Sequence, residues 1–248
     1  MTEEVLVGTS GWSYPHWRGP FYPPEVRPDG FLAYYAGRFD TVEVNSSFYR
    51  LPAETTVRRW RDLAPPGFTY AVKATRFITH YRRLKDAQEP LAQFLERVSV
   101  LDVALGPLLF QLPPSFPLRL ERLEAFLALL PARPPVAFEF RQATWFVPGV
   151  YDALARRGAA FCISDLHGRA TPEIVTAPLV YVRLHGPGRY SGSYDDASLA
   201  AWAEKCAAWA RDGRQVRVYF DNDQRGYAAR DAGRLRELLG QTPSGPRR

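Results

Sequence analysis

Short segments that alternate apolar and polar side chains recur along the chain, and residues 180–186 are the clearest example. Valine and leucine occupy every second position there, whereas Tyr181, Arg183 and His185 lie between them. Because successive side chains of a strand point to opposite faces, one face of this strand is apolar and the other carries chemistry. The apolar face suits a cover of helices, so we expect the polar face to line an enclosed space.

Eight segments have the length and composition of buried strands, and helix-like stretches lie between them. The predicted strands cover residues 5–10, 41–45, 68–73, 108–111, 136–141, 161–165, 180–186 and 216–222. The predicted helices cover residues 31–39, 54–63, 90–105, 120–130, 150–157, 197–211 and 226–239. Alternation of this kind indicates the α/β class with a parallel sheet.

Eight repeats in 248 residues favour closure into a TIM-type (β/α)8 barrel. An open doubly wound sheet would be expected to carry a glycine-rich phosphate loop after its first strand, and the segment following residue 8 does not supply one. The barrel is expected to be irregular at residues 166–179, where two prolines allow at most a stunted helix, and to have long loops after strands one and three. We expect residues 1–241 to form a single barrel domain and residues 242–248 a disordered tail.

The composition is that of an ordinary globular protein, with 46% hydrophobic and 23% charged residues. A net charge of +6 favours anionic partners, but the positive charge is spread along the chain and forms no tail. Arginine dominates it, since only three of the 32 basic residues are lysines.

No apolar run approaches the roughly 20 residues that cross a bilayer, so we expect a soluble protein without a membrane partner. The N-terminus lacks the basic and apolar regions of a secretion signal, which makes the cytoplasm the expected compartment. Cys162 and Cys206 fit no clustered zinc spacing and are expected to be free, buried thiols. The oligomeric state is not predicted.

Polar side chains remain on the inner strand faces after the branched and aromatic residues are set against the helices. They fall at C-terminal strand ends, where enzymes of this fold keep their catalytic groups, and charges buried only for support would each need a partner. The candidate catalytic residues are Glu43, Glu139, His185 and Lys73. The candidate substrate-binding residues are Ser10, Trp12, Asn45, Tyr49, Gln111, Arg141, Trp145, Asp165, Arg183, Asp221 and Asn222.

A supporting role stays open for each of these residues taken alone. Glu43 can simply neutralise Lys73, and Glu139 can form a buried ion pair with an arginine. His185 has the strongest single claim to chemistry because imidazole exchanges protons near neutral pH, although it can equally be held by a neighbouring carboxylate.

The aromatic residues in loops at the C-terminal end of the barrel allow two interpretations. Aromatic residues such as Trp12, Tyr49 and Trp145 can form a wall on which sugars or bases stack, or they can plug the barrel mouth as a small core. The loop histidines are interpreted as surface or capping residues; they are His16, His80 and His167.

At these residues the sequence resembles the DUF72, or YecE-like, family of uncharacterised proteins. The matching stretches span nearly the whole chain: GTSGWSY at 8–14, WRGPFYP at 17–23, VEVNSSFYR at 42–50, VKA at 72–74 with ITH at 78–80, LLFQLPP at 108–114, FEFR at 138–141 with TW at 144–145, YVRLHG at 181–186 and VYFDN at 218–222. The resemblance implies a TIM-barrel fold and no particular activity. Asp221 departs from the family pattern, which has an asparagine there.

The first functional hypothesis is an enzyme acting on an anionic, phosphate-bearing substrate at the C-terminal mouth, and one version of it has nucleic acid as that substrate. Arg141, Arg183 and Lys73 would hold the anion, and glutamate and histidine would supply acid–base groups for a hydrolase, lyase or isomerase. One alternative is a carbohydrate hydrolase or sugar isomerase; the hydrolase would pair Glu43 with Glu139, and carboxylates locked to arginines would count against it. Another alternative is a non-catalytic module that binds a ligand or a nucleic acid.

A cofactor is not indicated by any motif. A divalent metal is a weaker hypothesis, because a single candidate histidine among carboxylates on separate strands is a poor signal. Its candidate ligands are Glu43, Glu139, His185 and Asp221.

Overall fold

A computed structural model describes residues 5–166, 169–188 and 190–241 of the chain. The predicted tail at 242–248 and His167 lie outside the described residues. No helix in the described part of the chain is both long enough and apolar enough to cross a membrane.

Eight parallel strands curl into a nearly closed barrel in the order β1, β9, β8, β6, β5, β4, β3, β2. A short ninth strand, β7, pairs antiparallel with β6. The strands are β1 (Val5–Thr9), β2 (Thr41–Val44), β3 (Thr69–Lys73), β4 (Leu105–Leu112), β5 (Val136–Phe140), β6 (Ala160–Leu166), β7 (Arg169–Ala170), β8 (Leu179–Leu184) and β9 (Gln215–Phe220). The predicted α/β barrel is therefore confirmed.

The first and second strands meet where the sheet closes. Ser10 and Glu43 form a parallel bridge, and the Gly11 amide donates to the Glu43 carbonyl at 2.7 Å. A Cβ on Gly8 would lie 2.2 Å from the Thr41 carbonyl oxygen, so only glycine fits this close approach of the two strands. The closure brings the C-terminal ends of β1 and β2 together inside the barrel.

Helices cover the outside of the barrel. They are α1 (Phe31–Ala36), α2 (Ser46–Tyr49), α3 (Glu54–Leu63), α4 (Gln88–Ser99), α5 (Leu120–Leu127), α6 (Pro148–Arg157), α7 (Asp196–Arg211) and α8 (Tyr227–Leu238). Their apolar faces pack on the outward strand residues; in this shell Phe110 stacks on Phe138 with ring centroids 5.2 Å apart. Periodicity predicted all of these helices except α2, and their apolar faces form one continuous core with the sheet.

The barrel interior changes character along its axis. Its N-terminal part is filled by small and apolar side chains, including Ala71, Leu109 and Cys162, together with Tyr181 and Tyr219. Charged side chains follow toward the C-terminal end, because the inward face of each strand switches to polar residues there. Cys162 and Cys206 are buried and free, as predicted.

The boundaries differ from prediction where the chain turns sharply. The predicted helix at 90–105 ends at Ser99, and after a 3-10 turn at Asp102–Ala104 the chain enters β4 at Leu105. Asp102 has a φ of +52°, which breaks the helical path. The irregular stretch is confirmed: residues 169–178 form β7 and irregular backbone, and β8 begins at Leu179.

Candidate functional site

Arg183 is the centre of a buried cluster at the C-terminal end of the barrel interior. Its side chain is 0% exposed and reaches residues on four other strands or strand ends. Nη2 lies 2.8 Å from Glu43 Oε1 and 2.9 Å from Asp221 Oδ2, and Nη1 donates to Glu139 Oε2 at 2.8 Å. The Oγ of Ser10 accepts a further bond at 3.2 Å. Nε also donates to Glu43 Oε2 at 3.0 Å, so all three guanidinium nitrogens are engaged within the protein.

Glu43 is satisfied on both carboxylate oxygens. Its Oε1 accepts from the Ser10 hydroxyl at 2.5 Å as well as from Arg183, and its Oε2 accepts from the Tyr181 hydroxyl at 2.7 Å. The side chain is completely buried. Each oxygen accepts from Arg183 and from a hydroxyl, so Glu43 leaves no lone pair directed at an outside ligand.

His185 connects this cluster to Arg141. Nε2 lies 3.0 Å from Arg141 Nη2, and Nδ1 lies 3.0 Å from Asp221 Oδ2. Because a guanidinium only donates, Nε2 must accept, so the ring proton is on Nδ1 and is donated to Asp221. The Arg141 Nε also lies 2.5 Å from Glu139 Oε1. His185 and Glu139 together hold the guanidinium of Arg141 in one place.

Two acids of the cluster have lowered pKa values. Burial alone would raise the pKa of Glu139, but Arg141 and Arg183 outweigh it and hold that pKa well below its usual range. Burial likewise opposes the ionisation of Asp221, yet Arg183 and His185 lower its pKa. Glu139 and Asp221 are therefore anions at pH 7 and face the cations of the cluster.

A cavity of about 1220 Å³ lies above the cluster and opens at the C-terminal end of the barrel. Seven of the predicted site residues line it: Lys73, Trp12, Asn45, Tyr49, Gln111, Arg141 and Asp221. The Oδ1 atom of Asn45 is buried and has no hydrogen-bond partner within the described chain. The cavity therefore offers polar groups that the protein itself does not fully use.

Lys73 lines this cavity and differs from the two arginines of the cluster in its partners. Its side chain is 6% exposed, and Nζ lies 4.5 Å from the centroid of the Phe48 ring. Among the described residues it forms no ion pair, in contrast to the two arginines. Burial, followed by the charge of Arg183, lowers the pKa of Lys73 to about 8. An amine with such a pKa exchanges protons near neutral pH.

His80 also lines the cavity, although its sequence position suggested a surface residue. It packs edge-on against Phe48 at 4.8 Å, and its Nδ1 lies 2.9 Å from the Thr79 hydroxyl. Burial, then the charges of Lys73 and Arg141, lowers the pKa of His80 to about 4. The ring is therefore neutral at pH 7. The π-helical turn at Phe77–Tyr81 brings it inward, and periodicity gave no signal for that turn.

Further cavity residues were also missed. Tyr14 belongs to the aromatic loop whose role was left open, and burial raises its pKa far above the ordinary value while its hydroxyl donates to the Ser10 carbonyl at 2.6 Å. Trp60 comes from α3 and meets Trp12 edge-on at 5.5 Å. The composition of the loop could have indicated Tyr14, whereas nothing in the sequence pattern indicated Trp60.

Other candidate residues lie outside the cavity, and three serve the scaffold. Trp145, expected in the binding wall, is 0% exposed because it stacks on Phe140 and donates from Nε1 to the Phe116 carbonyl at 2.7 Å. Asn222 donates from Nδ2 to Asp231 at 2.9 Å, and Asp165 accepts from a tyrosine hydroxyl at 3.2 Å. Ser10, Glu43, Glu139, Arg183 and His185 are assembled beneath the cavity floor.

The described residues contain no group of three or more His, Cys, Asp or Glu arranged to hold a metal ion. The four candidate ligands do lie together, but their oxygen and nitrogen atoms are directed at arginines and at one another. Two positively charged guanidinium groups at the centre of the set oppose a divalent cation.

Comparisons with known proteins agree with this barrel. The family model described as protein of unknown function DUF72 matches residues 6–248. The UPF0759 protein YecE of Escherichia coli strain K12 is 30% identical over 185 residues, which cover 73% of this chain and 62% of YecE. The chain therefore matches less than two thirds of that relative's length. The UPF0759 protein YunF of Bacillus subtilis is 25% identical, over 95% of this chain and 94% of YunF.

Two solved structures have the same architecture. A DUF72 family protein of Thermotoga maritima superposes with a TM-score of 0.86 at 29% identity, covering 96% of this chain and 99% of that one. A DUF72 family protein of Enterococcus faecalis gives a TM-score of 0.84 at 20% identity, covering 99% and 98%. At that lower identity the likeness concerns the fold alone.

Proposed function

The chain belongs to the DUF72 family, and from this premise we propose that it is an enzyme acting on an anionic, phosphate-bearing small molecule in the cavity at the C-terminal mouth of its barrel. The observation that carries the proposal is Lys73, a buried ammonium that faces the cavity and forms no ion pair within the described chain. A cation held in this way gains most from an anionic ligand, because a desolvated charge needs a partner.

Arg141 supplies the second half of the anion site. His185 and Glu139 fix its guanidinium beside the cavity, and planar guanidinium donors suit phosphate oxygens. Arg183 was expected to share this role, but its donors are occupied by carboxylates and its side chain has no exposure. We therefore assign the anion to Lys73 and Arg141 and give Arg183 a supporting role.

Lys73 is also the group best placed to move a proton. Its pKa of about 8 leaves both protonation states accessible near neutral pH, and it faces the cavity rather than the scaffold. Glu43, Glu139 and His185 were predicted as acid–base groups, and those roles stay predictions. Their hydrogen bonds favour positioning Arg141 and balancing charge.

Calorimetric titration with inorganic phosphate tests the anion site. We expect the protein to bind phosphate, and Arg141→Gln to weaken binding by about tenfold or more, since a charge-assisted contact contributes about 1.5–3 kcal/mol. Arg58→Gln is the matched control, because Arg58 is an exposed arginine already paired with Glu54 on α3. Equal losses in the two variants, or no phosphate binding by the unaltered protein, would contradict the proposal.

A second candidate function is binding of single-stranded nucleic acid along the rim. Tyr49 and Tyr81 are 64% and 62% exposed, and the guanidinium of Arg76 lies 5.8 and 5.5 Å from their ring centroids. These rings border a second groove, of about 590 Å³, that adjoins the cavity at Phe48 and Tyr49. Exposed aromatic rings interleaved with arginine suit base stacking.

Fluorescence anisotropy with a labelled single-stranded oligonucleotide tests this second function. Binding that weakens as salt is raised, and that falls further in Tyr49→Ala and Tyr81→Ala, would support it. Tyr81 does not line the cavity, so phosphate binding by Tyr81→Ala serves as the control. No binding at low salt would contradict it.

The geometry does not favour a glycoside hydrolase. That chemistry needs one carboxylate free to attack or to activate water and a second free to donate a proton. Glu43 and Glu139 are both bound to Arg183, and neither lines the cavity. No observation within the described chain favours the sugar isomerase specifically.

A further inference from the structure

The chain uses lysine at only three positions, and one of these is inside the barrel. Lys85 and Lys205 lie on the surface, where Lys85 is near Asp86 at 3.9 Å and Lys205 pairs with Glu173 at 2.5 Å. Lys73 stands apart, buried among arginines in a chain that otherwise prefers arginine. Arginine stays protonated in proteins, whereas lysine can lose its proton and then carries a nucleophilic lone pair.

The surroundings of Lys73 suit a neutral amine. The side chain leaves β3 toward the cavity floor, and no described carboxylate lies within ion-pair distance of its Nζ, so burial outweighs the more distant acids and the Phe48 ring, which favour the ammonium. Its depressed pKa agrees with this geometry. Desolvation in an apolar setting beside other cations is a recognised way to activate lysine as a nucleophile.

We propose that Lys73 forms an imine with the carbonyl group of a phosphorylated aldehyde or ketone, whose phosphate is held by Arg141. This inference rests on the proposed anion site and names the substrate class for it. The neutral Nζ adds to the carbonyl carbon and gives a carbinolamine as the carbonyl π bond breaks; the remaining carbon–oxygen bond then breaks, and the oxygen leaves as water with the two amine hydrogens. No oxidant or metal takes part in the step.

Neighbouring groups can handle the protons of this step. His80 lines the same cavity as a neutral ring, since its pKa is lowered to about 4, and its Nδ1 is engaged by Thr79. Because the Thr79 hydroxyl donates to the Thr75 carbonyl at 3.2 Å, Nδ1–H donates to Thr79 and Nε2 is the available acceptor. Asp221 borders the cavity as well, but it is already bound to Arg183 and His185. His80 is therefore the better placed proton acceptor.

Borohydride trapping tests the imine directly on the unaltered protein. The protein is incubated with dihydroxyacetone phosphate, reduced with sodium borohydride and mapped by peptide mass spectrometry. We expect an adduct on Lys73 at near-stoichiometric level, and at most trace adducts on Lys85 and Lys205. A neutral fraction on the order of a hundredfold larger than that of a surface lysine at pH 7.5 is the physical reason.

Matched probes and variants separate the possible outcomes. Unphosphorylated dihydroxyacetone should label Lys73 at least about tenfold less, because it lacks the group that Arg141 holds. Lys73→Met should remove the adduct while the background on the other lysines is unchanged. Labelling of Lys85 or Lys205 as strong as that of Lys73 would overturn the inference.

The pH dependence of trapping provides a further check. The rate should rise as the pH increases through about 8, the range in which Lys73 loses its proton. The charged groups that face Lys73 are Arg183, Asp221, Glu139 and Glu43 in the cluster, with His80 and Arg141 at the cavity wall. The pKa values of Glu139 and Asp221 are lowered, so a rise between pH 7 and 9 reports on Lys73. A flat profile would contradict its role.

Failure of the imine and failure of the anion site are distinguishable. If phosphate binds with the expected dependence on Arg141 but no Lys73 adduct forms, the imine is wrong and the anion site stands. If neither is observed, both proposals fall.

Discussion

The inner cluster around Arg183 and the cavity floor at Lys73 each contain a buried cation, but the two cations differ in how far the protein compensates their charge. Arg183 is surrounded by three carboxylates and a serine hydroxyl, so its charge is fully compensated within the protein. Lys73 is almost as deeply buried, but its Nζ contacts an aromatic ring and no described carboxylate. The charges of the inner cluster are paired within the protein, whereas the floor keeps Lys73 available for a ligand.

The choice of side chain at each place follows from this difference. A planar guanidinium with five N–H donors can bind several carboxylates at once and remains charged, which suits a permanent centre. An ammonium carries a compact charge and changes its protonation state when buried, which suits a group that reacts. Removing the Arg183 side chain should therefore destabilise the protein, whereas removing the Lys73 side chain should stabilise it and abolish ligand binding.

The largest effect is expected for Arg183→Met. The substitution leaves Glu43, Glu139 and Asp221 buried without their main partner, and breaking a buried ion pair on one side costs about 3–5 kcal/mol. Urea denaturation at pH 7 measures the loss. Arg183→Lys keeps the charge with fewer donors and should lose less. A loss below about 1 kcal/mol in Arg183→Met would show that the cluster does not depend on this residue.

Lys73→Met should have the opposite sign and stabilise the protein. The pKa of Lys73 is lowered from 10.5 to about 8, which corresponds to about 3 kcal/mol lost by keeping the folded protein protonated at pH 7. Methionine fills a similar volume without a charge. The midpoint of urea denaturation at pH 7 should therefore rise, while phosphate binding and imine trapping are lost.

The stabilisation by Lys73→Met should also depend on pH. Below pH 8 the lysine is protonated in the folded and the unfolded chain, so the full cost is present in the unaltered protein. As the pH rises from 8 to 10.5 only the unfolded chain keeps the proton, so the unaltered protein gains stability and the variant loses its advantage. Destabilisation by Lys73→Met at pH 7 would instead identify Lys73 as a needed partner of the carboxylates.

The two regions were not equally predictable from the sequence. Alternation along the strands was enough to place Glu43, Glu139 and Arg183 on inner faces at C-terminal strand ends, because the two-residue period of a strand is fixed by its backbone. The same logic found the barrel and its eight parallel strands. The pairing of acids with bases depends on strand register and on side-chain rotamers. Strand alternation gives no information on either.

The cavity wall was harder to predict because loops build it. Trp145 was expected to line the cavity, but the turn after β5 directs it into the core beside Phe140. His80 was expected on the surface, but a π-helical turn brings it against Phe48. Loop side chains have no periodicity that reports their direction, so composition identified the aromatic content of the rim without assigning each ring to its place.

A smaller effect is expected where the two regions share a residue. Asp221 binds Arg183 and His185 and also borders the cavity, so Asp221→Asn should cost about 1–3 kcal/mol at pH 7 through the lost charge-assisted bonds. Because the folded pKa of Asp221 is lowered, its contribution is complete above the unfolded value of about 4 and is lost as the pH falls further. Stability curves of both proteins should therefore converge in acid. A constant gap between pH 6 and pH 2 would contradict this assignment.

The smallest effect is expected on the pKa of His80. This pKa measures how much of the positive charge of Lys73 is uncompensated in the cavity. Burial is the main reason that this pKa is lowered to about 4, and the positive charge of Lys73 is the next. In Lys73→Met the pKa should rise by up to about one unit, followed by NMR titration of the imidazole carbon-bound protons. Lys205→Met removes a surface charge that is paired with Glu173 and should leave the titration unchanged. A His80 pKa that is the same in all three proteins would mean that the ammonium of Lys73 is neutralised from outside the described contacts, and the contrast between a compensated cluster and an uncompensated floor would then be wrong.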